Sequence, residues 1–405
     1  MCAVRRANVF SQSLGLALSS YLAAVSDAHK CATGWPALWK RHGYLVGFEG
    51  LLSAAGKELG MIEDASVAIA MLRMVKVVLM PDTGIPVKAV AVAASPYVKW
   101  VNLFASGAGT SRTYILQVGV DANYYTQRIP PPLQNGTAVQ LYPLLYQVGV
   151  DIRQWGAHAG SNLRTKQANE VVVATATAAP TGGLVDDEDD DVGVPDTDVL
   201  VALNYEALHK LNAYAHAVTP ASVPLDRVQA AMIQVFHTRT DMNAQQQQQQ
   251  SLLPVHPSLS ALHSHILSSA GKMNHSILDE AATIVQQLGG GALVFCKSGK
   301  DRTAMHVTYK QAQFAARYQN HNRAAAAATE TTVETNMESV LRDATMLRLY
   351  GTRLPICEKN VGQSKYAFNA LQVKFMPDAL KPPMNTLAGF LKGGRLFSSE
   401  GGIES

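Results

Sequence analysis

The chain predicts an α/β fold in which a helical region and a β-rich region precede a strand, a tight loop and a helix in direct succession. Three observations predict it. Apolar side chains recur at helical spacing through much of residues 1–80. From about 85 to 155 the texture changes to β-branched and aromatic runs punctuated by Gly and Pro. Finally, Gly289-Gly-Gly291 stops a helical pattern and leads into Ala292-Leu-Val-Phe295, a short apolar run with the length of a buried strand. Helical spacing then resumes at Met305, Val307, Tyr309, Gln313 and Phe314.

A length of 405 residues suits two or three domains, or one large domain with insertions. At 47% apolar and 16% charged, the bulk is neither disordered nor a charged, solvated rod. Lys and Arg total 34 against 31 Asp and Glu, and the resulting +3 is too small to imply nucleic-acid binding. Six consecutive acids, Asp186 to Asp191, conceal a more basic body. Without them 34 bases face 25 acids, a balance of +9 that suits an anionic substrate. No stretch approaches eighteen uninterrupted apolar residues, so a membrane-spanning helix is not expected and any membrane contact would be peripheral. The cysteines at 2, 31, 296 and 357 form neither a disulfide framework nor a C-x2-C zinc pattern, which points to a reducing compartment.

Taken in order, the first element follows Arg5 and Arg6, which stand where a secretory signal would place them. Ser11, Gln12, Ser13, Ser19 and Ser20 interrupt the apolar run, however, while Phe10, Leu14, Ala17, Leu18, Tyr21 and Val25 share one helical face. An amphipathic helix packed on the body is expected. Trp35 and Trp39, beside Lys40-Arg41, are expected at the core and its rim rather than on a membrane. Asp64 is read as the N-cap of a helix whose face carries Val67, Ala68, Met71, Leu72 and Val75. Strands are expected at 112–118 and 139–142. Gln-Val-Gly-Val-Asp occurs at 117–121 and at 147–151, too short a repeat to define an architecture. Segments 175–198, 245–250 (all Gln) and 324–328 (all Ala) lack patterned apolar surface and are expected as surface loops. Asn204 is read as the cap of a helix with Tyr205, Leu208 and Leu211. Ser276 opens another with Ile277, Ala281, Ile284, Val285 and Leu288.

The chain thus divides into a helical region at 1–80 and a β-rich segment at 81–170. A disordered acidic insertion follows at 171–198, then a core at 199–350 interrupted by low-complexity loops at 244–251 and 324–332. A C-terminal segment, 351–405, completes the core.

The chemistry concentrates in Cys296-Lys-Ser-Gly-Lys-Asp-Arg-Thr303. Strand, tight loop and helix N-terminus form an anion cradle, because backbone N–H groups converge and the helix dipole adds positive potential. A cysteine opening the loop and an arginine six residues later match the C-x5-R pattern of cysteine-dependent phosphatases. In that geometry the thiolate of Cys296 sits beneath phosphorus for in-line attack. The loop amides, Ser298 and Gly299 among them, and the planar Arg302 guanidinium hold the equatorial oxygens. A helix terminus contributes at most about 2 kcal/mol to a thiolate, so Arg302, Lys297, Lys300 and the amides must supply the rest. Asp301 is placed to protonate a leaving alkoxide, or else to pair with Arg302 or a lysine. Thr303 is placed to stabilise the departing thiolate or to cap the helix. No metal or cofactor is needed for this chemistry and none is expected. His256, His263, His265 and His275 lack an H-E-x-x-H or Cys/His pairing, and no Walker A sequence is present.

This loop resembles the signature of inositol polyphosphate 4-phosphatases and of related bacterial inositol-phosphate phosphatase effectors, where Gly at its fourth position is usual. Further segments resemble that family: Gly43-Tyr-Leu-Val-Gly-Phe-Glu-Gly-Leu-Leu52, Gly60-Met-Ile-Glu-Asp64, Asn204-Tyr-Glu-Ala-Leu208, Glu358-Lys-Asn-Val-Gly362 and Tyr366-Ala-Phe-Asn369. The resemblance implies a cysteine-phosphatase-like domain with Cys296 as nucleophile and Arg302 as phosphate clamp. Lys297 and Lys300 would contact neighbouring phosphates, and the substrate would be phosphatidylinositol 3,4-bisphosphate losing its D4 phosphate, or a soluble inositol polyphosphate. The implied partners are a phosphoinositide headgroup and a peripheral membrane surface, at a cytoplasmic location and with the oligomeric state open. Animal relatives carry a lipid-binding β-sandwich ahead of the catalytic region, and these 405 residues leave no room for one. Two other functions remain open: a protein tyrosine or dual-specificity phosphatase, and a catalytically silent phosphoinositide-binding module.

Overall fold

A computed structural model describes residues 2–82, 98–107, 112–148, 197–219, 254–269, 274–327, 337–368, 373–374 and 376–387. The acidic run at 186–191 and the glutamine tract at 245–250 lie outside these residues. The described strands are β1 (Tyr44–Gly50), β2 (Val75–Asp82), β3 (Val98–Ser106), β4 (Thr113–Asp121), β5 (Ala138–Gln147) and β6 (Gly291–Phe295). They form one mixed sheet in the order β3-β4-β2-β5-β1-β6. Within it β1 runs parallel to both β5 and β6, β2 runs parallel to β4, and the remaining pairs are antiparallel.

Helices cover both faces of the sheet. On one face lie α1 (Cys2–Ser26), α3 (Trp35–His42), α4 (Gly56–Met71) and α5 (Ala122–Arg128); the short α2 (Ala28–Ala32) links the first two. On the other lie α6 (Thr197–Val218), α7 (Ser260–Ser268), α8 (Ser276–Gln287), α9 (Asp301–Ala327) and α10 (Met337–Tyr350). The 3-10 turns and the helix α11 (Arg353–Val361) of the C-terminal segment join them there. The alternation of strand side chains serves both cores. Tyr44, Val46 and Phe48 of β1 enter the first, while Leu45 enters the second and Gly47 faces Val285 of α8.

The N-terminal expectation holds in physical detail. Ala17, Tyr21 and Val25 of α1 are buried and Phe10, Leu14 and Leu18 pack beside them. By length and composition α1 is apolar enough to cross a membrane, yet it lies against α4 and β6. Trp39 is fully buried, edge-on to Tyr21 and Tyr44.

Several local expectations are corrected. The mostly helical region at 1–80 contains β1 and the start of β2, because a seven-residue strand buried on both faces shows no alternation to betray it. Asp64 is not an N-cap: α4 starts eight residues earlier, and the buried Asp64 carboxylate binds Arg5 and Arg6 of α1. Val75 opens β2 instead of ending a helical face. β6 is half-buried, since it forms the sheet's edge. The alanine tract continues α9 through Ala327, as the residue of highest helix propensity allows.

Asn204 likewise lies inside α6, not at its start. Its side-chain amide accepts from the Gln147 N–H and donates to the Gln147 carbonyl, each at 2.9 Å, and so pins α6 to the end of β5. Asn204→Ala leaves both buried backbone groups unpaired and is expected to cost about 2–3 kcal/mol, read as a lower urea midpoint at unchanged slope.

Candidate active site

The C-terminal ends of β1 and β6 lie side by side, with Gly50 opposite Phe295. The chain leaves β1 toward α4 on one face and leaves β6 toward α9 on the other. Adjacent parallel strands whose connections part in this way open a crevice beyond their carboxyl ends, the usual ligand position in an open α/β sheet. The Leu51 N–H donates to the Phe295 carbonyl at 3.0 Å, which fixes the base of the crevice. A Cβ at Gly50 would displace the amide end of the buried Gln147 side chain, which donates to the Leu52 carbonyl.

Residues 296–300 form the turn between β6 and α9. Gly299 has φ +66°, a left-handed conformation suited to glycine, and nothing crowds the place of its missing Cβ. The N–H groups of Ser298, Gly299 and Lys300 meet no acceptor among the described residues. The first N–H groups of α9 are free of intrahelical bonds as well, as in any helix. Cys296, 9% exposed, is the first residue after β6 and opens this turn.

Arg302 is held by groups that the sequence did not single out. Its Nη1 donates to the Leu51 carbonyl at 2.8 Å and to Glu58 Oε2 at 2.7 Å, and its Nη2 donates to Glu58 Oε1 at 2.6 Å. A guanidinium has five N–H donors. Among the described residues, those left over are the Nε–H and one Nη2–H, which together form a planar fork able to grip two oxygens of a phosphate. Burial works against the charge of Arg302, but Glu58, with Cys296 and Asp301 nearby, holds it above the usual arginine value. Burial also opposes ionisation of Glu58, yet Arg302, the Ser53 N–H and the charge of Lys297 hold its carboxyl below the ordinary glutamate range.

The other loop residues part company. Lys297 and Ser298 are exposed at the rim. Lys300 is 1% exposed, its ammonium 3.4 Å from Asp301 Oδ2, so it does not share the rim with Lys297. Asp301 pairs with this lysine and not with Arg302, and its Oδ1 accepts from the Ala367 N–H at 2.9 Å. Thr303 is not the helix cap, since α9 starts at Asp301; its buried hydroxyl has no hydrogen-bond partner among the described residues. Arg353 donates from Nη2 to the Gly299 carbonyl at 2.6 Å. The histidines disperse: His256 caps a 3-10 turn, and His275 lies against His306.

Neither Glu58 nor Arg353 was legible beforehand. Glu58 stands between two of the resembling segments, but a lone glutamate near a helix start reads as a solvated, dipole-stabilised acid. Its partner is 244 residues away.

A family model described as the INPP4A C-terminal domain matches residues 1–162 and 202–380, which is most of the chain. The chain belongs to the INPP4A C-terminal domain family. The unmatched stretch at 163–201 contains the acidic run. Among curated proteins, the rat type II inositol 3,4-bisphosphate 4-phosphatase is 25% identical over 388 residues, covering 95% of this chain and 32% of the relative. The human inositol polyphosphate 4-phosphatase type II is 25% identical over 387 residues with the same coverage. The chain therefore spans about a third of the length of these two relatives.

The Glu58–Arg302 pair has a signed pH dependence. Because the folded-state value of Glu58 lies below its unfolded one, the pair's stability is fully present above the ordinary glutamate value of 4.5 and is lost as pH falls through the folded value. Glu58→Gln is expected to cost about 2 kcal/mol at pH 7. The difference from the parent should shrink below pH 4.5, as followed by urea midpoints across the range.

Proposed function

We propose that this chain is a cysteine-dependent phosphoinositide phosphatase that removes the D4 phosphate of phosphatidylinositol 3,4-bisphosphate, with soluble inositol polyphosphates as further substrates. The observation that carries the proposal is the Arg302 fork, left open by Glu58 and Leu51 beside Cys296 and the Ser298, Gly299 and Lys300 N–H groups, which meet no acceptor among the described residues. The family and the names of the relatives support the substrate class.

In the proposed mechanism the Cys296 thiolate attacks phosphorus, so that an S–P bond forms while the P–O bond to the ring breaks. Charge on the equatorial oxygens is met by the loop amides and the Arg302 fork. The leaving inositol alkoxide needs a proton. Asp301 is the carboxyl nearest in sequence to the clamp, and it would have to turn from Ala367 and Lys300 to give one. Water then attacks the cysteinyl phosphate, releasing inorganic phosphate and restoring the thiolate. The work would take place at the cytoplasmic face of a membrane, where the lipid presents its headgroup.

A panel of phosphoinositide isomers assayed for phosphate release tests the substrate. Release fastest from phosphatidylinositol 3,4-bisphosphate is expected; release from none of them, with retained binding, would make the chain a silent binding module. Cys296→Ser should abolish turnover while keeping ligand binding, and phosphate trapped on the protein by acid quench should disappear with it. Arg302→Lys should lose at least about a hundredfold in kcat/KM, because a point charge cannot replace a two-donor fork and also satisfy Glu58 and Leu51.

A further inference from the structure

Just before the crevice, β1 carries a carboxylate that the proposed chemistry does not use. Glu49 is 1% exposed and stands on the same side of the sheet as Cys296. By strand alternation Leu45, Gly47 and Glu49 turn toward the second helical layer, and Cys296 belongs to the core on that side. Glu49 pairs with Val294, two residues before Cys296. One strand spacing across and two residues along put the Cα atoms of Glu49 and Cys296 about 8 Å apart. A lone carboxylate there would oppose a second negative charge on the thiol.

Two groups of α9 answer it. Glu49 Oε2 accepts from His306 Nε2 at 3.0 Å and from the Lys310 ammonium, while Glu49 Oε1 and His306 Nδ1 have no hydrogen-bond partner among the described residues. From α8, Asp279 Oδ1 lies 3.9 Å from the Lys310 ammonium and the Leu278 carbonyl accepts from it at 3.4 Å; the ring of His275 lies 5.8 Å from that of His306. An ammonium brings a full positive charge, whereas an imidazole donating one N–H need carry none. In the loop itself Arg302, near Cys296, is paired with Glu58, and Asp301 with Lys300. We propose that Lys310 is a positioning residue for the nucleophile: acting through Glu49, it cancels a buried carboxylate that ties β1 to α9, so that this tie does not oppose ionisation of Cys296. The proposal rests on the assignment of Cys296 as the nucleophile. Charges about 8 Å apart lie within a Debye length at physiological salt, and a site this dry screens them less than water would.

Lys310→Met, Glu49→Gln and the double variant, each in the full chain, test this. The readout is the rate of iodoacetamide alkylation of Cys296 from about pH 5 to about pH 10, followed by mass spectrometry of the peptide that contains it. Lys310→Met leaves the carboxylate uncompensated and should raise the pH midpoint by about one unit. Glu49→Gln leaves the ammonium uncompensated and should lower it by about as much, and the double variant should return to the parent's midpoint. Lys310→Arg keeps the charge and should keep the midpoint. A brace with no electrostatic role would move both single variants in one direction or neither, and either result overturns the proposal. Urea midpoints report whether each variant is folded; should Lys310→Met fail to fold, the sign of the shift in the isosteric Glu49→Gln decides alone. The nucleophile is tested separately on the parent, where inorganic phosphate should slow alkylation of Cys296 and p-nitrophenyl phosphate should be hydrolysed. Absence of both removes the nucleophile; unshifted midpoints in a protein that passes both remove Lys310 alone.

Discussion

The candidate site depends on one ion pair across the crevice between β1 and β6. Glu58 enters from the first turn of α4, on one face of the sheet, and Arg302 from the first turn of α9, on the other. Neither helix contacts the other through its own apolar face, so the pair and the Leu51 carbonyl set where the guanidinium lies. An arginine side chain left free samples many rotamers, and ordering it on ligand binding opposes affinity. Here that ordering takes place on folding. The same pairing keeps Glu58 from standing as an uncompensated charge in a part-buried position.

The C-terminal segment fixes the loop from behind. Arg348 is 1% exposed and binds the Met305, Ala379 and Lys381 carbonyls and the Thr308 hydroxyl, tying α10 to α9 and to the turn at 378–381. With only neutral acceptors around it, burial lowers its value to about 10. The Tyr366 hydroxyl donates to the Arg348 carbonyl, which places the Ala367 N–H against Asp301. From α11, Arg353 holds Gly299. Residues beyond 348 are thus part of the loop's support.

A second buried network supports the start of α9. Glu49, two residues before Leu51, is 1% exposed and binds His306 Nε2 at 3.0 Å and the Lys310 ammonium. Burial opposes its charge, but Lys310 and His306 hold its carboxyl below the ordinary glutamate range. His306 and Lys310 lie one and two turns beyond Arg302 on the same helix. β1 and the residue after it therefore grip α9 at two levels, through Leu51 at its first turn and through Glu49 deeper down.

What the sequence determined by itself is local. The glycine stop, the strand of β6, the turn opened by Cys296, and the helix that carries Arg302 follow from spacing and residue type over some thirty consecutive positions. Helix α1 and its buried face were legible for the same reason. Where a short-range signal had two meanings, it misled: Asp64 and Asn204 have the chemistry of caps, but tertiary partners in α1 and β5 hold them mid-helix. β1 was missed because burial on both faces removes the alternation that marks a strand. Only the tertiary structure decided that Glu58 holds Arg302, that Lys300 turns inward to Asp301, and that Arg353 reaches the Gly299 carbonyl. Each of these depends on which distant segments the sheet and its two helical layers bring together, and charge partners at such separations leave no periodicity in a chain.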